Sequence, residues 1–195
     1  MKTSVKLSLI AVGALFATNA AFAQNGFIVK PGVYDPDNTG IVSAAWVNNI
    51  GLPDKGGSSF ALLLQKSGPT PTNAAAGASI QGVEGITLTE LGFDYKDGSH
   101  CSAGSPRFNV QATDGFHFLG GCANSTSGPG PAAGWTRVRI NPSNPAQAFP
   151  VIAPGATILS ITVIQDEGND TGTGSAIIDN IDINGILIGK PGTGK

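Results

Sequence analysis

From residue 27 onward the chain is written in short alternating runs of apolar and polar residues. They are Phe27–Lys30, Ser43–Val47, Ser59–Gln65, Thr87–Tyr95, Arg107–Gln111, Phe116–Leu119, Trp135–Ile140, Thr157–Gln165 and Ala176–Ile183. Each is rich in β-branched or aromatic residues and is bounded by Gly, Pro, Asn or Ser, which is the pattern of half-buried strands. In Trp135–Ile140 the period of two puts Trp135, Arg137 and Arg139 on one face and Thr136, Val138 and Ile140 on the other. In Ala176–Ile183 it puts Ile177, Asp179, Ile181 and Ile183 on one face and Ile178, Asn180 and Asp182 on the other, and a buried Asp in such a row needs a partner. No window carries a sustained helical stripe. The Ala-rich stretch Thr72–Ser79 has room for one helical turn. Ser125–Gly134 and Asn141–Pro154 read as Pro-rich surface loops, and the tail from Lys190 as frayed. The pattern predicts an all-β fold, a β-sandwich of the jelly-roll kind with about nine or ten short antiparallel strands. No linker or repeat divides it, so residues 24–195 read as one domain.

The first 23 residues follow a different rule. Lys2 and Lys6 precede an uncharged stretch from Leu7 to Ala21, and Ala21-Phe22-Ala23 closes it with small residues where a signal peptidase reads. This is the layout of a secretory signal peptide cleaved after Ala23, and it predicts a secreted or periplasmic protein. The apolar run is short for a membrane span of ~20 residues, no lipid-accepting Cys stands near the cleavage site, and no later segment is apolar enough to span a bilayer. Without residues 1–23 the chain carries nine basic and 13 acidic side chains, a net charge of −4. Nucleic acid needs a concentration of basic charge to neutralise phosphates, so it is excluded as a partner. The two cysteines, Cys101 and Cys122, are an even pair in an exported chain and read as a disulfide. Its loop of about 21 residues corresponds to roughly 3 kcal/mol of stability.

Four stretches have residues suited to chemistry. In Tyr34-Asp35-Pro36-Asp37-Asn38-Thr39-Gly40, the oxygens of Asp35, Asp37 and Asn38 before a Gly suit a hard cation such as calcium, and suit an Asx-rich turn equally. Gln165–Gly172 holds Asp166, Glu167 and Asp170 within five residues. Three such carboxylates are ligands for a cation, partners for Arg137 or Arg139, or a solvated turn. The stretch from Gly98 to Val110 collects His100, Arg107 and Asn109 around Cys101. Polar groups of this kind, on loops over a rigid sandwich, are suited to holding a sugar or another small ligand. Trp46, Trp135, Tyr34 and Tyr95 are the aromatic candidates for stacking on a sugar ring. The ligand-binding set is therefore His100, Arg107, Asn109, Trp135 and Arg137. A nucleophile motif is missing: Ser99-His100 are only sequence neighbours, and no GxSxG elbow occurs. The three glutamates, Glu84, Glu90 and Glu167, form no motif that selects a glycosidase pair. Asn124-Ser125-Thr126 is a glycosylation sequon, idle if the chain is bacterial.

The late run Ile177-Ile178-Asp179-Asn180-Ile181-Asp182-Ile183-Asn184-Gly185 resembles the closing strand of carbohydrate-binding-module-like jelly rolls of the galactose-binding-like group. That resemblance implies a structural calcium ion held by Asp179 together with the Asp35–Asn38 loop, and a carbohydrate ligand. The chain then reads as an exported, non-catalytic binding module for a glycan or cell-surface polymer. A structural or adhesive surface protein, suited by the low charge and the Gly/Thr/Asn-rich composition, is the alternative, and a hydrolase without a recognisable motif comes third.

Overall fold

All nine alternating runs overlap strands of the computed structural model, which describes residues 26–69, 73–166 and 173–192. The signal-peptide reading falls on residues 1–23, outside that range. The strands are β1 (Ile28–Tyr34), β2 (Val42–Val47), β3 (Ala61–Lys66), β4 (Ala75–Gln81), β5 (Leu91–Lys96), β6 (Arg107–Ala112), β7 (Gly115–Gly120), β8 (Thr126–Pro129), β9 (Trp135–Ile140), β10 (Ala148–Phe149), β11 (Ile158–Gln165), β12 (Gly174–Ile183) and β13 (Ile186–Ile188). A single 3₁₀ turn, Cys122–Asn124, is the only helical element among the described residues. None of these is a helix long and apolar enough to cross a membrane.

The strands form two antiparallel sheets. The first has the order β1-β4-β11-β6-β7-β10, and the second β2-β3-β12-β5-β9-β8, with β13 paired to the end of β12. The inward halves of the alternating runs meet between the sheets. Phe93 of the second sheet and Phe108 of the first lie 6.0 Å apart at a tilted angle, among Leu62, Leu64, Leu119, Ile158, Ile161, Ile178 and Ile181, all fully buried. Trp46 on β2 also ties the sheets together, its indole N–H donating to the Val29 carbonyl of β1 at 3.1 Å. The fold is thus an all-β sandwich, with 13 strands where nine or ten are expected from the sequence.

Of the four strands beyond the nine, β4, β8 and β10 lie where local propensity is weak, while β13 is a short Ile-Leu-Ile segment paired to the end of β12. β4 occupies the Ala-rich stretch expected to hold a helical turn. It runs between β1 and β11 and is hydrogen-bonded on both sides, so pairing overrides the low strand propensity of Ala and Gly. β8 and β10 fall inside the two expected Pro-rich loops and lie at the ends of their sheets.

A second correction concerns β12. Asp179 pairs with Asp94 and Asp182 with Gly92, so β12 has one residue more than β5 between those positions. The extra residue makes a bulge at Asn180, whose φ of 46° is in the left-handed region that Asn tolerates. The bulge changes the phase of the alternation. Ala176 and Ile178 face the core before it, and Ile181 and Ile183 face the core after it, while Ile177 and Asp179 lie on the outer face. The strict period of two therefore fails here.

The outer face of the second sheet is covered. The segment between β2 and β3 lies over it, and Ile50 and Leu52 join Ala61, Trp135 and Ile177 in a small second apolar cluster. The buried carboxylates beside this cluster are all engaged. Asp94 receives Arg137 Nε at 2.8 Å, Arg137 Nη2 at 3.1 Å and Asn180 Nδ2 at 2.6 Å. Asp179 accepts from the Leu52 N–H at 2.7 Å and the Asn180 N–H at 2.6 Å. Asp182 accepts from the Gly185 N–H at 2.7 Å and pairs with Arg139 at 3.1 Å. Gly92 leaves room for this packing: a Cβ there would clash with the Val138 carbonyl oxygen and come within 2.7 Å of Arg139 Nη1.

Candidate functional site

The outer face of the first sheet has the opposite character. The registers of its strands align its outward residues in rows that cross the sheet. One row runs Lys30, Ser79, Thr162, Asn109, Phe118, Phe149, and the next runs Gly32, Gly77, Ile164, Arg107, Gly120. Small residues dominate the β1 and β4 side. At Gly77 a Cβ would come within 2.7 Å of the Val163 carbonyl oxygen, so the floor is as low as backbone packing permits. Larger side chains rise around it. Tyr34, Phe118 and Phe149 are 61%, 46% and 77% exposed.

The result is a trough that crosses the strands. Its central cavity, about 650 Å³, lies among Tyr34, Ala75, Arg107, Asn109, Phe118 and Asp166. A smaller extension of about 440 Å³ continues over Gly32, Gly77 and Ser79 toward β1, sharing Tyr34, Ala75 and Ile164 with it. A third hollow of about 210 Å³ continues past Phe118, Gly120 and Asn124 to Phe149. From β1 to β10 there are five inter-strand steps, about 24 Å at ~4.8 Å each.

The polar groups of the central cavity are held in place. Arg107 donates from Nη1 and Nη2 to the two carboxylate oxygens of Asp166 at 2.8 and 2.6 Å, from Nε to Asn109 Oδ1 at 3.2 Å, and from Nη1 to the Gly104 carbonyl at 3.0 Å. Its guanidinium lies over the Phe118 ring, 5.4 Å from the centroid. Phe118 in turn meets Phe116 edge-on at 5.0 Å. The backbone of Asp166 is fixed separately: its N–H donates to Ser105 Oγ at 3.2 Å and its carbonyl accepts from Lys66 Nζ at 3.1 Å. Ser105 Oγ donates to the buried Gln165 side chain at 2.8 Å.

One wall of the trough depends on the cysteines. Cys101 and Cys122 form the expected disulfide, with Cα atoms 5.5 Å apart. It ties the segment before β6 to the 3₁₀ turn after β7. The Cys122 N–H donates to the Ser102 carbonyl at 2.7 Å, and Asn124 Nδ2 to the Ala103 carbonyl at 3.4 Å. Ala103, Gly104 and Asn124 are thereby presented to the cavity.

Of the residues singled out in the sequence for ligand binding, Arg107 and Asn109 lie together in this trough. The other three do not line it. Trp135 is buried in the second apolar cluster, and Arg137 is bound to Asp94. The His100 N–H donates to the Ser175 carbonyl of β12 at 2.8 Å. Tyr34 lines the trough, whereas Trp46 packs against the core. Phe118, Phe149, Asn124 and Asp166 also line the trough, and the sequence pattern alone does not place them on a binding face. Phe116-His117-Phe118-Leu119 is apolar or aromatic on both phases, so its outward half is not readable from pattern alone. In fact His117 points inward, with ring nitrogens 2.9 Å from the Pro150 carbonyl and 3.1 Å from Asp114.

The calcium candidates do not converge. Asp35 closes its own exposed turn, accepting from the Thr39 N–H and hydroxyl and from the Gly40 N–H at 3.1, 2.8 and 2.8 Å. The bond from Gly40, followed by those from Thr39, holds its carboxyl below the ordinary pKa despite some desolvation. Asp37 and Asn38 share that turn, and Asp179 is buried under Leu52 in the second sheet. Among the described residues no group of three His, Cys, Asp or Glu side chains is placed to hold a metal ion. Glu167 and Asp170 lie outside the described residues.

Neither a protein-family model nor a curated protein sequence matches the chain. Two solved structures are similar in fold. One is the family 11 carbohydrate-binding module of the cellulosomal cellulase Lic26A-Cel5E of Clostridium thermocellum, with 15% identity, 80% of this chain and 86% of that chain covered, and a TM-score of 0.44. The other is a family 11 carbohydrate-binding module from Clostridium thermocellum in complex with a β-1,3-1,4-mixed-linked tetrasaccharide, with 18% identity, 83% and 97% covered, and a TM-score of 0.44.

Proposed function

We propose that the protein is an exported, non-catalytic glycan-binding module, and that the glycan lies in the trough across the first sheet. The observation that carries this reading is the combination of exposed aromatic rings with fixed hydrogen-bonding groups along one open groove. Tyr34, Phe118 and Phe149 offer apolar faces to the C–H surfaces of sugar rings, and Asn109, Asn124 and the Arg107–Asp166 pair offer donors and acceptors for hydroxyls. A trough of about 24 Å accommodates a chain of several sugars rather than one. Asp166 is the only carboxylate among the described lining residues, and it is bound to Arg107. A glycosidase needs two carboxyls across its cleft, so binding without catalysis is the better match. The disulfide and the N-terminal pattern support export.

Affinity electrophoresis and a glycan array test this reading. The wild type should be retained by at least one neutral polysaccharide. Tyr34→Ala and Phe118→Ala should each lose most of that retention while keeping their melting temperature. Absence of binding across plant, fungal and bacterial glycans would reject the reading. The rival, a self-associating surface protein, draws on the exposed Phe149 and Phe116. Sedimentation at rising concentration separates the two, since a strictly monomeric protein counts against it.

A further inference from the structure

We infer that Asp166 is a specificity-determining residue that makes the trough select uncharged glycans over uronate-containing ones. The inference rests on the glycan-binding reading of the same trough. A guanidinium at the centre of a groove, over an aromatic ring, is the group an anionic sugar seeks, because it offers paired N–H donors to a carboxylate. Here the carboxylate is supplied by the protein. Both Asp166 oxygens receive Arg107 terminal nitrogens. With the bonds to Asn109 and Gly104, four of the five guanidinium N–H donors are engaged. The pair presents no net charge to the trough, and a uronate entering beside it meets an existing carboxylate.

No other lining cation replaces Arg107 in this role. The charged side chains among the described lining residues are Lys30, Arg107 and Asp166. Lys30 is three strands away from β6, about 14 Å by strand spacing and beyond the screening length of ~8 Å at physiological salt. The position of Asp166 also does not depend on its side chain alone. Lys66 and Ser105 hold its carbonyl and N–H, and both contacts survive substitution. Asp166→Asn therefore releases the positive charge of Arg107 into a trough of unchanged shape.

The test uses neutral glucan, galactan and mannan polymers, each paired with its own C6-oxidised form, in which the hydroxymethyl groups are uronates. The wild type should bind one neutral polymer at least about tenfold more tightly than its oxidised partner, with little dependence on salt between about 50 and 300 mM. Asp166→Asn should gain about tenfold or more for the oxidised form, the size expected of one charge-assisted contact, and that gain should fade with salt. Asp166→Ser, lacking an amide that could face Arg107, is the second variant, and unchanged melting temperature checks both. Equal wild-type affinity for a neutral polymer and its oxidised form, or a neutral-to-oxidised ratio unmoved in both variants, overturns the assignment while leaving the binding module intact. If neither the wild type nor a variant binds any polymer of the panel, the binding reading falls, and this one with it.

Discussion

The two outer faces of the sandwich are built from the same kind of alternating strand, yet one is closed and the other open. On the second sheet Asp94, Asp179 and Asp182 are buried and paired, and the segment carrying Ile50 and Leu52 covers the apolar residues that remain. On the first sheet the aromatic residues are left in solvent and the strand between β1 and β11 is kept small. The difference teaches how to tell a structural polar cluster from a binding face. The richer collection of charged groups is on the closed side, where each serves a neighbour. The open side has few charges, and its exposed Tyr34, Phe118 and Phe149 are not covered by any described part of the chain.

The largest effect should come from breaking the closed face. Asp94 is fully buried and holds both Arg137 and Asn180. Removing one partner of a buried pair costs about 3–5 kcal/mol. Because the Arg137 side chain is 36% exposed and rehydrates when freed, Asp94→Ala should sit near the low end, about 3 kcal/mol. That corresponds to a fall of roughly 6–12 °C in melting temperature for a chain of this length, with glycan retention intact at low temperature. A normal melting curve would mean that the network is only decoration. Next is the disulfide. Cys101→Ala with Cys122→Ala should cost roughly 3 kcal/mol and should also weaken binding, because Ala103, Gly104 and Asn124 lose their anchor. Loss of stability with unaltered affinity would remove the disulfide from the trough.

On the open face the balance reverses. Phe118→Ala should change stability by within about 0.5 kcal/mol, as expected of an exposed site, and should reduce affinity about tenfold, equivalent to ~1.4 kcal/mol. Isothermal titration beside a thermal melt reads both quantities. The smallest effects concern pH. Burial, and then the neighbouring Asp182 charge, push the Glu90 carboxyl above its ordinary pKa. A raised carboxyl favours the folded state at low pH and loses that advantage as pH rises through its folded value. Glu90→Gln should therefore gain stability relative to wild type on going from about pH 4 to pH 7, by a few tenths of a kcal/mol for so exposed a group. Asp114 has the opposite sign. The Ala153 N–H, with help from His117, holds it below its ordinary value. Its contribution is present above the unfolded pKa of about 4 and is lost as the pH falls through the folded one, so Asp114→Asn should flatten the acid limb of the stability curve. Parallel acid limbs in wild type and variant would discount that contact.

Much of the fold was readable in the sequence, because strands such as Trp135–Ile140 have one clean phase and β-branched residues suited to pleated surfaces. What was missed has specific causes. Residues 75–79 are all Ala, Gly or Ser, so neither their period nor their propensity reveals a strand, and pairing on both sides creates one. The bulge at Asn180 is invisible to any reading with a constant period. For the site, Arg107 and Asn109 were legible because their strand alternates sharply. Trp135 shares a face with Arg137 as expected, but that face is covered by a segment more than 70 positions earlier in the chain, which spacing cannot show. Phe149 lay in a stretch dominated by prolines, where a two-residue strand leaves no pattern.

β4 carries two messages in one string of letters. Ala76, Ala78 and Ile80 are addressed to the core, and Ala75, Gly77 and Ser79 to the trough. The second set can be rewritten without disturbing the first. Larger residues at Ala75 or Ser79 would raise the floor, shorten the channel and change which polymers fit, while the interior stays as it is. Gly77 is the exception, since the Val163 carbonyl occupies the space of its missing side chain. Descendants of this sequence therefore have a natural route to new ligand preferences, through two positions on a single strand.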